Sequence, residues 1–222
     1  DDIYRHYQDI TGIGEAEIER IKALELKAER DSVYLVQEIN QRIRDGDVLV
    51  SDMYLPANHV ADLLHAAGFR KSVNLYVTPS GKASGQIWPE LQSKYYIAQH
   101  TGDHPHRDVA SPKKHGIETE FFQAAHLSAH EQLFVRLGAP KTALLLKRFR
   151  LGNPHQAGSR AYRMHQVQAL CNLPILLLLS ARLRQIMQRE GLSRILFSQR
   201  DGCLLHRLFA SVCSDVNSQP FW

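Results

Sequence analysis

"VLVSDMYLP", residues 48–56, is an apolar run that ends in Ser51 and Asp52 and is followed by a Tyr-Leu-Pro segment. A short, wholly apolar stretch closing on a polar residue is the mark of a strand buried in a parallel sheet. The flanking sequence agrees. "RDGD" (44–47) stops a helical stretch upstream, and "HVADLLHAAG" (59–68) has helical spacing and closes on Gly68. "VNLYVT" (73–78) reads as the next strand, "SGQIWPELQSKY" (84–95) as a short helix and "YYIAQH" (95–100) as a third strand. Strands that alternate with helices predict an α/β fold with a Rossmann-like parallel sheet.

Working outward, a helix is predicted over about 15–30, where Ile18, Ile21, Leu24 and Ala28 share one face. A second is predicted from about Ser32, burying Val33, Val36, Ile39 and Ile43. These make residues 1–45 a helical segment ahead of an α/β core at 46–140. After Asp108 a turn or short helix should end at "HGI" (115–117). "LGNPHQAGSR" (151–160) is rich in Gly, Pro and polar residues and reads as a linker. A helical stretch follows from about Tyr162, containing "NLPILLLLSA" (172–181), which reads as a buried helix. Then come a strand, "RILFSQ" (194–199), an "RDG" turn (200–202) and a helix, "CLLHRLFASV" (203–212). One strand-turn-helix unit cannot make a sheet alone, so residues 150–222 read as a partial second α/β unit.

Composition narrows the function classes. With 44% apolar and 23% charged residues, the 222-residue chain can bury a core and is no disorder candidate. The formal charge of +4 is scattered in short clusters such as "LKRFR" and "PKKH" rather than gathered on one face, which argues against a nucleic-acid reader. Cys171, Cys203 and Cys213 form no CxxC pair, so they read as small buried apolar residues in a reducing compartment. The ten-residue apolar run stops short of Arg182 and Arg184, whereas a membrane span takes about 20 residues. No signal peptide pattern opens the sequence, and a cytoplasmic location without a membrane span is expected. Asp1 at one end and Phe221-Trp222 at the other read as cut ends.

In parallel sheets, ligands sit at the C-terminal ends of the strands. Ser51 and Thr78 close the first two strands, Thr101-Gly102-Asp103 follows the third, and Lys82 comes shortly after Thr78. Magnesium prefers oxygen ligands and takes one or two carboxylates, which Asp103 and Asp108 can supply. A lysine binds phosphate as a point charge, and a serine hydroxyl with free backbone N–H groups can hold phosphate oxygens. Each residue also has a plainer reading. Ser51 could cap a helix, Lys82 could be an ordinary surface lysine, and His100, His104, His106 and His115 lack zinc spacing and read as solvated loop histidines. Asp201 of "RDG" is either a second phosphate site at a helix start or the cap of a tight turn.

The ordered set "VLVSDMYLP", "GKASGQIW" and "HTGDHPHRDV" resembles the second, third and fourth motifs of the haloacid dehalogenase-like (HAD) hydrolases. It is most similar to those that accompany bacterial surface-polysaccharide glycosyltransferases, where segments like "SDMYLP" and "ILFSQRDG" recur. The resemblance covers about Glu15 to Phe122, and the region from Tyr162 more loosely. It implies that Ser51 is a phosphate-binding hydroxyl, with Asp52 beside it at the substrate. Lys82 would steady nucleophile and phosphoryl group, and Asp103 and Asp108 would be the magnesium acids, with Asp103 the direct ligand. The family's first motif, a strand followed by Asp-x-Asp, is missing. "DGD" (45–47) precedes a strand, and Asp52 is followed at +2 by Tyr54. The first motif is therefore expected upstream of residue 1, with the N-terminal helices as a cap. The function implied is a magnesium-dependent phosphatase acting on a small phosphorylated metabolite, such as a sugar phosphate of polysaccharide biosynthesis. The alternative is a non-catalytic HAD-like module that binds a sugar phosphate or a glycosyltransferase partner. Whether this chain alone is an enzyme stays open.

Overall fold

A computed structural model describes residues 2–221. The protein is mixed α/β, and among the described residues the strands form three separate parallel pairs rather than one sheet. Two compact units divide the chain, Asp1–His126 and Leu127–Trp222. The Gly- and Pro-rich segment 151–160 lies inside the second of these.

The first unit opens with helices α1 (Asp2–Thr11), α2 (Glu15–Ser32) and α3 (Gln37–Arg42). Glu15 and Glu17 in the first turn of α2 and Arg30 in its last turn complement the helix dipole, and Ile18 is its buried anchor. The second helix is shorter than predicted. Val33 and Val36 have extended backbones, and only Gln37–Arg42 is helical. Two β-branched valines flanking Tyr34 and Leu35 lose rotamer freedom in a helix, so this segment goes extended.

Strand β1 (Val48–Asp52) pairs in parallel with β2 (Asn74–Thr78), and the register sets Asp52 directly beside Thr78. Between them runs α4 (Ala57–Ala66), stopped by Gly68, whose φ of 97° few other residues adopt. Two short helices, α5 (Gly81–Ser84) and α6 (Ile87–Lys94), lead to β3 (Gln99–Gly102). Only this latter part of "YYIAQH" is strand, and Tyr96 is exposed. A π-helical turn (Pro105–Ala110) and α7 (Ser111–Lys113) connect β3 to its parallel partner β4 (Glu118–Phe121). The core of this unit is Ile87, Trp88, Leu91 and Ile117, packed against Val48 and Val50 of β1, Tyr76 of β2, and Tyr95 and Ile97. Both strand pairs are thus served by the buried face of α6.

The second unit contains α8 (Ala129–Arg136), α9 (Pro140–Leu151), α10 (Arg160–Val167) and α11 (Leu173–Glu190), the last two joined by a π-helical stretch. Ser128 caps α8 reciprocally with Glu131, whose buried carboxylate takes a two-pronged bond from Arg150. Strand β5 (Arg194–Ser198) pairs in parallel with β6 (Asn217–Phe221) across α12 (Gln199–Val212). Met187, Phe197, Phe209 and Cys213 form the core.

Three sequence expectations change here, the first being the burial of the cysteines: Cys171 and Cys203 are exposed and Cys213 is buried. "RDG" is not a turn, because α12 starts at Gln199 and takes Asp201 into its first turn. "NLPILLLLSA" is helical but not buried: Ile175, Leu178 and Leu179 face solvent, while Pro174 and Ser180 point inward. The continuous helix it belongs to, Arg160–Glu190, is 31 residues long and, by length and composition alone, apolar enough to cross a membrane. Of the terminal residues read as cut ends, Asp1 and Trp222 lie outside the described residues.

Candidate functional site

The site at the C-terminal ends of β1, β2 and β3 is built around two carboxylates. Asp52 ends β1, and the parallel register brings Thr78 alongside it, so Thr78 Oγ1 donates to Asp52 Oδ1 at 2.8 Å. The chain then turns so that Thr78 Oγ1 accepts from Gly81 N (2.8 Å), and the N–H groups of Lys82 and Ala83 point back at Asp52 (2.9 and 3.1 Å). Burial works to raise the Asp52 pKa. It is outweighed by these three donors and by the Lys82 charge, which hold the carboxyl below its ordinary value.

The second carboxylate, Asp108, is 3% exposed. Lys82 Nζ donates to its Oδ1 at 2.7 Å, His100 Nε2 reaches the same oxygen at 3.0 Å, and the His104 backbone N–H donates to Oδ2 at 2.9 Å. Burial again opposes ionisation. The His100 and Lys82 bonds, the Lys82 charge and the His104 N–H overcome it and leave the carboxyl well below the usual carboxylate range. An ionised carboxylate only accepts, so His100 Nε2 carries the proton in that bond. Lys82 itself is held in place: its carbonyl accepts from Ser111 Oγ (2.6 Å), which in turn accepts from the buried Trp88 indole (3.0 Å). The Trp88 ring meets His100 edge-on, with 4.8 Å between centroids. Close approach is built in at Gly102, where a Cβ would sit 2.6 Å from Asp108 Cβ and Oδ2.

Of the residues singled out from sequence, Lys82, Asp108 and Asp52 are therefore brought together. Ser51 occupies β1 one position before Asp52 and so projects to the other face of the strand. Asp103 is exposed on the turn after β3, and its carbonyl accepts from His126 Nε2 at 2.7 Å. His100 corrects the histidine expectation: it is not a solvated loop residue but a largely buried partner of Asp108. His104 has a local task as well, its Nδ1 accepting from the N–H groups of His106 and Arg107 to start the π-helical turn. Sequence gave no sign of Ser111 or Trp88. The usable signal for His100 was its place in a strand, two residues before Gly102.

A magnesium shell does not assemble from these residues by themselves. Both oxygens of Asp108 are engaged by nitrogen donors, and among the described residues no group of three or more His, Cys, Asp or Glu side chains could hold a metal ion. What the arrangement can do is present a fixed ammonium beside a fixed carboxylate at strand ends, a setting suited to orienting an anion. No family model matches the chain, and no curated protein matches it either.

Proposed function

We propose that this rim handles a phosphoryl group and belongs to a HAD-like hydrolase, a phosphatase for a small phosphorylated metabolite such as a sugar phosphate of polysaccharide biosynthesis. The observation that carries the reading is the Lys82–Asp108 ion pair at 2.7 Å. It ties the segment after β2 to the segment after β3 at the ends of parallel strands, where open α/β folds hold their ligands. In this reading the Lys82 ammonium is held by Asp108 in the orientation in which it meets phosphate oxygens, with Asp103 at the mouth; Ser51, on the other face of β1, takes no part. Fixed charge of this kind is most of what phosphoryl transfer asks of a protein.

The nucleophile of such a reaction would be an aspartate that forms an aspartyl-phosphate. Asp52 is a poor candidate, because its two oxygens are already taken by Thr78, Lys82 N and Ala83 N. The reading thus requires an Asp-x-Asp strand that residues 1–222 do not supply, and no step is assigned to magnesium. A second reading, a non-catalytic HAD-like module that binds a sugar phosphate or a glycosyltransferase partner, is favoured by the full engagement of Asp108. An apolar strand ending in Asp-x-Asp in the upstream gene sequence would favour the hydrolase, and its absence the module.

The assay is turnover of p-nitrophenyl phosphate by residues 1–222 with magnesium, beside Ser51→Ala and Asp52→Asn. No turnover is expected. Activity that survives Ser51→Ala but disappears in Asp52→Asn would make Asp52 the nucleophile and overturn the assignment of "VLVSD" to a phosphate-binding strand.

A further inference from the structure

The long helix of the second unit carries a side that its own unit leaves uncovered. From Met164 to Ala181 there is no Asp, Glu, Lys or Arg. Met164, Val167, Cys171, Ile175 and Leu178 recur at helical spacing along one stripe, and all are exposed, Ile175 at 61% and Leu178 at 62%. The stripe continues onto α9, where the exposed Phe149 ring stacks on His165 with 5.3 Å between centroids. Further along α11, Leu183 and Met187 pack into the core with Phe197, Phe209 and Cys213. The helix is thereby fastened to its unit at one end, so it can lie against a surface more readily than cross one.

Charge says what kind of surface. The whole chain has 27 Lys and Arg against 23 Asp and Glu, but residues 127–222 hold 13 against 4, a formal +9. Arg160 and Arg163 precede the stripe and Arg182 and Arg189 follow it, all exposed. An apolar stripe bracketed by arginines is the pattern of helices that lie in the headgroup layer of anionic bilayers. A second copy would bring the same +9 unit against itself. A nucleic acid would meet the arginines but give the apolar stripe nothing to bury against.

We propose that residues 127–222 dock on an anionic lipid surface through this stripe, with the helix in the plane of the interface and the flanking arginines at the headgroups. The surface lies outside Asp1–His126, so its docking is independent of the rim around Lys82 and Asp108.

The test uses the full chain with vesicles of phosphatidylcholine, with and without phosphatidylglycerol. Co-sedimentation should require phosphatidylglycerol. An environment-sensitive fluorophore on Cys171, in a Cys203→Ser background that leaves the buried Cys213 as the only other thiol, should shift to the blue on binding. That readout leaves the other side chains of the stripe unchanged. Ile175→Asp with Leu178→Asp should weaken binding by about tenfold or more, since each removes a large apolar side chain from the interface. Three results would overturn the proposal: no sedimentation with anionic vesicles, binding that ignores the Ile175 and Leu178 substitutions, or a concentration-dependent dimer broken by those substitutions without any vesicle binding. The last would assign the stripe to a second copy.

Discussion

Replacing Lys82 by Met leaves Asp108 buried without its ammonium partner. Lys82 is 14% exposed in its side chain and Asp108 4%, so little water is at hand to compensate. Breaking a buried pair from one side costs about 3–5 kcal/mol when nothing else satisfies the remaining charge. Here Asp108 keeps the His100 bond at 3.0 Å and the His104 N–H at 2.9 Å. What is lost is close to one charge-assisted hydrogen bond, so a cost of about 2–3 kcal/mol is expected. In urea, with a slope of about 1–3 kcal/mol per molar, the midpoint should fall by about 1 M. Trp88, buried beside His100, reports the transition of the first unit by fluorescence once the second tryptophan is removed by Trp222→Phe.

The pH dependence sharpens the test. The folded-state pKa of Asp108 is depressed, so its contribution is complete above the unfolded value of about 4 and is lost as pH falls below it. The wild-type midpoint should therefore drop between about pH 5 and pH 3, and Lys82→Met should drop less over the same interval. Lys94→Met, which removes an exposed partner of Glu90, is the control and should change little. A Lys82→Met midpoint equal to wild type, or parallel pH curves for the two, would refute the account of Asp108 as a buried carboxylate held ionised by Lys82.

Gly102→Ala should destabilise by about 1–3 kcal/mol in the same urea assay, because its Cβ must displace the Asp108 side chain. Glu25 accepts from the hydroxyls of both Tyr4 and Tyr54, and chiefly through that bond the Tyr54 pKa is pushed up to about 12. In Glu25→Gln an absorbance titration of the phenols should show Tyr54 moving back towards about 10. Titration calorimetry should find magnesium binding weak, and weaker still in Asp103→Asn. Tight binding would mean that a further carboxylate, such as Asp52, completes a shell.

What could be read from sequence followed local periodicity. The β1 run "VLVS", the β2 run and the Gly68 stop of α4 each announce themselves within ten residues, because burial and left-handed backbone leave local marks. Strands β4 and β6, built on "ETEF" and "NSQPF", carry no apolar run; they exist because a parallel neighbour pairs with them. Lys82 and Asp108 were each legible as strand-end residues, but with separate tasks, lysine for phosphate and aspartate for metal. Their pairing across 26 residues depends on the close approach at Gly102 and on Ser111 fixing Lys82, neither of which leaves a sequence pattern. The apolar run at 172–181 misled for a different reason. Hydrophobicity gives the wish to be covered, and only the packing of Leu183 and Met187 shows which part of the helix its own unit covers.

The central claim is that the rim at Lys82 receives a phosphoryl group, and binding of inorganic phosphate followed by phosphorus NMR tests it most directly. Saturable binding by the wild-type chain is predicted, weakened by about tenfold in Lys82→Ala, with Ser51→Ala, on the other face of β1, and Lys94→Ala unchanged. Absence of saturable binding, or the same affinity in wild type and Lys82→Ala, would contradict it.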